Sequence, residues 1–184
     1  MIAPPESDLT PDEIVARAVA LRPRLIELAA ETEARTYYSE EIHEEFLRAG
    51  FYRMLVPRRY GGYEFDFPTF LRVVIEIARG CMSTAWCLCL SAGHALQVGA
   101  LFDEHAQAEL FGDGDFRCPA VAAPAGAATR TEDGWELNST HAYSSGAPPT
   151  HRINPLAPAT HPSPTMSANR RMTNLAEPKE PCSR

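Results

Sequence analysis

Between residues 10 and 111 the apolar positions recur at three- and four-residue spacings, and the polar positions between them carry helix-start and helix-stop chemistry. Thr10 can cap a helix that has Pro11 at its first position and Glu13 completing a capping box. Ile14, Ala18, Leu21, Leu25 and Leu28 then share a face as far as about Arg35, with Pro23 predicting a kink. Ser39 caps a second helix, with Glu40 and Glu41 in its first turn and Ile42, Phe46 and Ala49 on its apolar face. Gly50 is its left-handed stop. Residues 51–56 read as a short extended run, and Pro57 with Gly61 and Gly62 as the loop after it. A third helix is expected from about residues 66–68 to Ala78, burying Phe70, Val74 and Ile77. An uncharged helix begins near Ser83, and Asp103 caps another that ends at Phe111 before Gly112.

The period then changes. Residues 117–121 and 127–132 are partly extended, and Asp133-Gly134 predicts a two-residue hairpin turn. Trp135, Leu137 and then Tyr143 continue as a strand-like run. Eight of the 16 prolines follow Ala147, where aromatics and hydrophobic periodicity are both absent. Such a segment cannot bury enough apolar surface to offset its ordering entropy. The expected fold is mostly α. Residues 1–9 form a disordered N-terminus and 10–115 a helical domain. Residues 116–147 open a middle β domain that stays incomplete, and 148–184 form a disordered or out-of-frame Pro-rich tail. A truncated or frameshifted gene and a natural disordered tail both account for that ending.

Charge and composition narrow the function classes. A net charge of −7 argues against nucleic acid, which calls for a cationic surface. The first residues carry neither the basic nor the apolar region of a signal peptide. Residues 81–102 are uncharged and long enough to raise a membrane span, yet they contain Ser83, Thr84, Ser91, His94 and Gln97, so a central core helix with no membrane is expected. Five cysteines without a secretion signal read as reduced thiols in the cytoplasm. Cys87 and Cys89 fall on different helix faces, and no pair has zinc spacing, so small hydrophobes and no metal site are expected. Gly112-x-Gly114 lacks the strand and third glycine of a dinucleotide site.

Two places invite chemistry. Trp86, Leu90 and His94 are four apart and share one helical face; His94 is either a satisfied core histidine or a ligand-facing one. Tyr143-Ser144-Ser145-Gly146 puts two hydroxyls and a glycine at a strand end, which suits either an ordinary turn or hydrogen bonds to a flat heteroaromatic ring.

The run AGFYRMLVP from Ala49 to Pro57 with Tyr60-Gly61-Gly62, then Ser83-x-x-Trp86, His94 and the segment from Asp133-Gly134-Trp135 to Ser144-Ser145-Gly146, resembles the acyl-CoA dehydrogenase superfamily. Within it the resemblance is to the flavin-dependent aromatic monooxygenase branch, over residues 10–147. It implies an acyl-CoA dehydrogenase-like N-terminal helical domain, a middle β domain and a C-terminal helical bundle, assembled as a tetramer. It implies a flavin, FAD or reduced FMN, supplied in reduced form by a separate reductase component, and a small aromatic substrate hydroxylated with O2. A true acyl-CoA dehydrogenase, acting on an acyl-CoA, and an inactive helical interaction module are the alternatives. His94 matches the helix histidine that contacts the substrate hydroxyl, with Trp86, Leu90 and Ala120 in the substrate pocket. His141, Tyr143, Ser144 and Ser145 fall where the strand end lies against the flavin. Two positions depart from the branch. His141 stands where a Trp is usual, and Ala120 where some hydroxylases carry a serine.

Overall fold

The computed structural model describes residues 4–112, 114–148, 154–155 and 159–160. Helix α1, Pro11–Glu27, starts on the expected capping box: the Thr10 hydroxyl accepts the Glu13 amide, and the Glu13 carboxylate accepts the Thr10 amide at 2.8 Å. Pro23 does not end this helix. Its missing amide leaves the Val19 carbonyl without the usual donor, and Arg22 Nε reaches that oxygen at 3.4 Å instead. The break comes five residues later, at Leu28, before α2, Ala29–Arg35.

Helix α3, Glu40–Ala49, is capped by Ser39 and stopped by Gly50 at φ 79°. The expected extended run after it is instead a 3-10 turn, Phe51–Arg53, because Gly50 bends the chain back and its carbonyl accepts the Arg53 amide at 3.0 Å. The same stretch still takes ladder-like bonds. Tyr63, Phe65 and Glu64 donate their amides to the carbonyls of Arg53, Met54 and Val56. Gly62 is required for that closeness, since a Cβ there would lie 1.9 Å from the Val56 carbonyl oxygen.

Helix α4, Phe67–Gly80, opens on Asp66, whose carboxylate accepts the Thr69 amide. It buries Phe70, Val73 and Ile77; Val74, expected inside, is only half-buried because the core-facing edge of the helix runs through residues 70, 73 and 77. Helix α5, Met82–Gly93, and α6, Ala95–Leu101, replace one continuous uncharged helix, with the joint at His94. The stretch Met82–Leu101 is long and apolar enough to cross a membrane by length and composition, but its regular helix is interrupted at His94. It is not a wholly enclosed core helix either, for Met82 and Trp86 are exposed while Ala85, Leu88 and Ala92 are buried. Asp103 caps α7, Glu104–Phe111, as expected.

The core gathers Ile14, Leu25, Phe46, Phe51, Phe70 and Leu88, all 2% exposed or less. Each such side chain contributes about 1.5–3 kcal/mol by leaving water. The β entry is pinned to this helical body by Arg53, whose guanidinium pairs with Asp115 at 2.8 Å. Gly114, at φ 76°, leaves the space the guanidinium occupies.

Strand β1, Ala120–Val121, is followed by a hairpin of β2, Ala127–Thr131, and β3, Gly134–Asn138. The turn is Glu132-Asp133, one residue earlier than the Asp-Gly signal places it, because Gly134 at φ 141° already pairs with Thr131. Strand pairing ends at Asn138, so Tyr143 lies beyond the strand it was expected to extend. Within the Pro-rich segment, β4, Asn154–Pro155, pairs parallel to β1, and β5, Ala159–Thr160, pairs parallel to β2. These four residues are ordered where composition alone predicts disorder; the remainder from residue 149 onward lies outside the described residues, as do residues 1–3 of the N-terminal segment.

Candidate functional site

Helix α5 acts as a rail along which the β entry is fastened at several heights. Near its start, Trp86 Nε1 donates to Ser145 Oγ at 3.1 Å. At the next residue of the helix, Gly146 sits at φ 88° against the backbone of Cys87, where a Cβ would come within 2.8 Å of the Cys87 carbonyl oxygen. The Gly146 amide also reaches the Cys87 thiol, whose titration is pushed up by burial and only partly offset by this bond. Further along, the Cys118 amide donates to the Ser91 carbonyl at 2.8 Å. At the end of the helix, His94 Nδ1 faces the carbonyls of Leu90 and, at 3.1 Å, Cys118.

Those contacts decide the tautomer of His94. A carbonyl can only accept, so a nitrogen shared by two carbonyls carries the proton. Nδ1–H is therefore the donor in the neutral ring, and Nε2 keeps its lone pair. Among the described residues no hydrogen bond is made to Nε2, and the ring is half-buried. Such a group can accept a hydrogen bond from a hydroxyl, or take its proton.

The strand-end loop supplies a second kind of capacity. Ser144 Oγ and His141 Nδ1 are both buried with no hydrogen-bond partner among the described residues, an arrangement that costs about 1–3 kcal/mol per group unless something else satisfies it. The other nitrogen of His141 shares a hydrogen bond with Ser139 Oγ at 3.1 Å. A hydroxyl and a ring nitrogen left in this state fit a flat ligand edge that carries both donors and acceptors, as a flavin ring does. Ser145 is committed to Trp86 instead. Tyr143 turns away, at φ 59° and 90% exposed. Ala120 lies in β1 opposite Asn154.

The expected residues thus form two groups at the two ends of α5, with Trp86 and Ser145 closing one end and His94 the other. A third group escaped the sequence reading. Arg117 donates to His43 Nε2 at 2.7 Å, His43 Nδ1 meets the Tyr52 hydroxyl at 3.2 Å, and Tyr52 meets the Tyr38 hydroxyl at 2.9 Å. The Arg117 guanidinium also lies over the Tyr52 ring, 5.6 Å from its centre. Burial pushes the Tyr38 hydroxyl up to about 12 and the Tyr52 hydroxyl well above its usual value. Burial, and then the Arg117 charge, hold the His43 imidazole below its usual value. The available signal was the position of His43 three residues before Phe46, on the apolar stripe of α3. Among the described residues no group of three or more His, Cys, Asp or Glu side chains is placed to hold a metal ion.

Comparison with known proteins gives this geometry a setting. Residues 15–110 match the family model of the acyl-CoA dehydrogenase N-terminal domain. The oxygenase subunit HsaA of a flavin-dependent monooxygenase from Rhodococcus jostii is 36% identical over 131 residues, covering 71% of this chain and 34% of that one. The crystal structure of 3-HSA hydroxylase from Rhodococcus sp. RHA1 superposes with a TM-score of 0.74 at 32% identity, over 81% of this chain and 39% of that one. XiaF from Streptomyces, in complex with FADH2 and glycerol, gives a TM-score of 0.74 at 26% identity, over 82% of this chain and 38% of that one. The chain spans about a third of the length of the curated relatives it matches, 34% and 36% of the first two.

Proposed function

The chain belongs to the acyl-CoA dehydrogenase family, and from that premise we propose that it forms the substrate-side helical part of an oxygenase component in a two-component aromatic monooxygenase. The observation that carries this reading is the state of His94. Its Nδ1 is committed to the Cys118 and Leu90 carbonyls, which leaves Nε2 as an acceptor for a phenol hydroxyl. A hydroxyl that donates to a fixed acceptor becomes a stronger electron donor to its own ring, so the ring is made more reactive toward an electrophilic oxygen. Trp86 and Leu90, on the same helix, would bound the pocket for the aromatic body.

Ser144 and His141 would hold the flavin edge, since their unpaired atoms supply the hydrogen bonds that such a ring lacks elsewhere. When bound in reduced form, the flavin supplies the electrons that activate O2. A separate flavin reductase would deliver it, and a small phenol would be the substrate. The assembly as a homo-oligomer belongs to the same proposal.

The test supplies the remaining length from a relative. Residues 10–147 replace the matching segment of the Rhodococcus jostii oxygenase subunit, and the chimera is assayed with a reductase, O2 and a panel of phenols. Hydroxylated product is expected, falling about 10²–10⁴-fold in the H94A chimera. A folded, flavin-binding chimera that hydroxylates no phenol, or that instead oxidises an acyl-CoA, contradicts the proposal.

A further inference from the structure

A cavity of about 110 Å³ opens at the start of α3, lined by Tyr37, Tyr38, Ser39, Glu40, His43 and Pro148. None of these residues belongs to α5, which carries His94. For scale, an apolar cavity of roughly 150 Å³ admits benzene. The Tyr37 and Tyr38 rings and Pro148 supply apolar walls, while two of the lining side chains bring hydrogen-bonding capacity that the protein itself leaves unused.

The unused donor is the Tyr38 proton. Arginine has donors only, so the Arg117 contact makes His43 Nε2 an acceptor. Burial holds His43 below its usual value, so the ring is neutral near pH 7 and its one proton, on Nδ1, goes to the Tyr52 oxygen. Tyr52, accepting there, donates onward to Tyr38. The opposite order would strand the Tyr52 proton beside the Arg117 guanidinium, which lies over that ring. The buried Tyr38 hydroxyl therefore keeps its own proton to give, and among the described residues no acceptor takes it. Burial first and, less strongly, the Glu40 charge push this hydroxyl up to about 12, so it stays a neutral donor. The unused acceptor is Glu40. It is exposed, and among the described residues no ion pair or hydrogen bond holds its carboxylate.

We propose that this cavity binds a small phenol, at a site of its own that does not depend on the reading of His94. One donor and one carboxylate acceptor around a space for a single ring call for an atom that both accepts and donates, which is a hydroxyl oxygen. A carboxylate ligand would meet Glu40 as a like charge, and an ammonium ligand has no lone pair for Tyr38. In the complex the phenol oxygen accepts from the Tyr38 hydroxyl and its own proton goes to the Glu40 carboxylate. The ring packs against Tyr37 and Pro148, and such walls favour an aromatic body over an open-chain alcohol. Pro148 stands two residues after Gly146, so a phenol seated here also ties the end of the Ser144–Gly146 loop to α3.

The test uses the full 184-residue chain without flavin, so its outcome does not depend on hydroxylation. The ring resonances of the tyrosines and histidines are followed by NMR as phenol is added, with toluene and benzoate as comparators. Saturable shifts at Tyr38 and His43 are expected with phenol. Toluene should bind at least about tenfold more weakly, and benzoate should produce no shift there. E40A removes a charged acceptor and should weaken phenol about tenfold or more, while Y38F removes a neutral donor and should weaken it about threefold or more. Equal affinity for toluene, unchanged phenol affinity in folded E40A, or phenol shifts confined to His94 would each overturn the proposal. Glu40 is exposed in the first turn of α3, so E40A keeps the test decisive should Y38F fail to fold.

Discussion

Trp86 and Ser145, 59 residues apart, are joined by one hydrogen bond of 3.1 Å that fastens the end of the β entry to the start of α5. Trp86 is 57% exposed, so its ring contributes little to the core and its indole N–H is the part that matters. W86F keeps the ring and deletes the donor. It should cost about 0.5–1.5 kcal/mol, and it should speed hydrogen exchange at residues 144–147 while leaving α1 and α4 unchanged. Exchange measured by mass spectrometry on peptides covering both regions checks this.

Gly62 tests the fold around the family-like run. An alanine Cβ there would stand 1.9 Å from the Val56 carbonyl oxygen and 2.4 Å from its carbon, and backbone atoms cannot give way as side chains do. G62A should lose about 3 kcal/mol, the upper end of overpacking costs, seen as a lower urea midpoint with an unchanged slope. A loss under about 0.5 kcal/mol would mean that residues 53–56 and 63–65 are not paired as described.

Tyr52 sits in the middle of the buried hydrogen-bonded chain. Y52F preserves the ring that packs beside Phe46 but strands His43 Nδ1 and Tyr38 without their shared oxygen. About 1–3 kcal/mol of stability should disappear, the cost of buried polar groups left unpaired. Y38F removes only the terminal member and should cost less. Urea denaturation of both variants gives the comparison.

The pH dependence of stability should report His43. Its folded-state value lies below the unfolded one near 6.5, first through burial and then through the Arg117 charge, with Glu40, Glu44 and Asp115 acting against this. The folded chain therefore binds fewer protons than the unfolded chain just below that pH. Stability should be fully present above about pH 6.5, fall as pH drops from there toward the folded value, and change no further on His43's account below it. H43Q should lose this component of the slope. Urea midpoints between pH 5 and 7 for both chains provide the measurement.

Much of the helical body was legible because its signals are local. Thr10, Ser39, Asp66 and Asp103 each cap the helix their sequence context announces, and Gly50 ends α3 in the left-handed region. What was misread depends on contacts between distant residues. The apolar run 51–56 has no period of its own, and the bonds from residues 63–65 decide its shape. The uncharged run through α5 and α6 gives no break signal strong enough to place a joint at His94. The Asp-Gly pair placed the hairpin turn one residue late, since glycine can serve as the first strand position as well as the second turn position.

The candidate site divides the same way. Trp86, His94, Ser144 and Ser145 were found by their order along the chain, and Trp86 with Ser145 proved to be direct partners. The His43–Arg117 contact spans 74 residues and joins two residue types that ordinarily stand apart, so no sequence spacing announces it.

His94 is proposed to present an acceptor to a phenol hydroxyl, and its Nε2 nitrogen resonance can be followed during a phenol titration. A saturable shift is expected with phenol and none with anisole, which has the same ring and no hydroxyl proton to donate. Equal shifts with both ligands, or no shift with either, would contradict it.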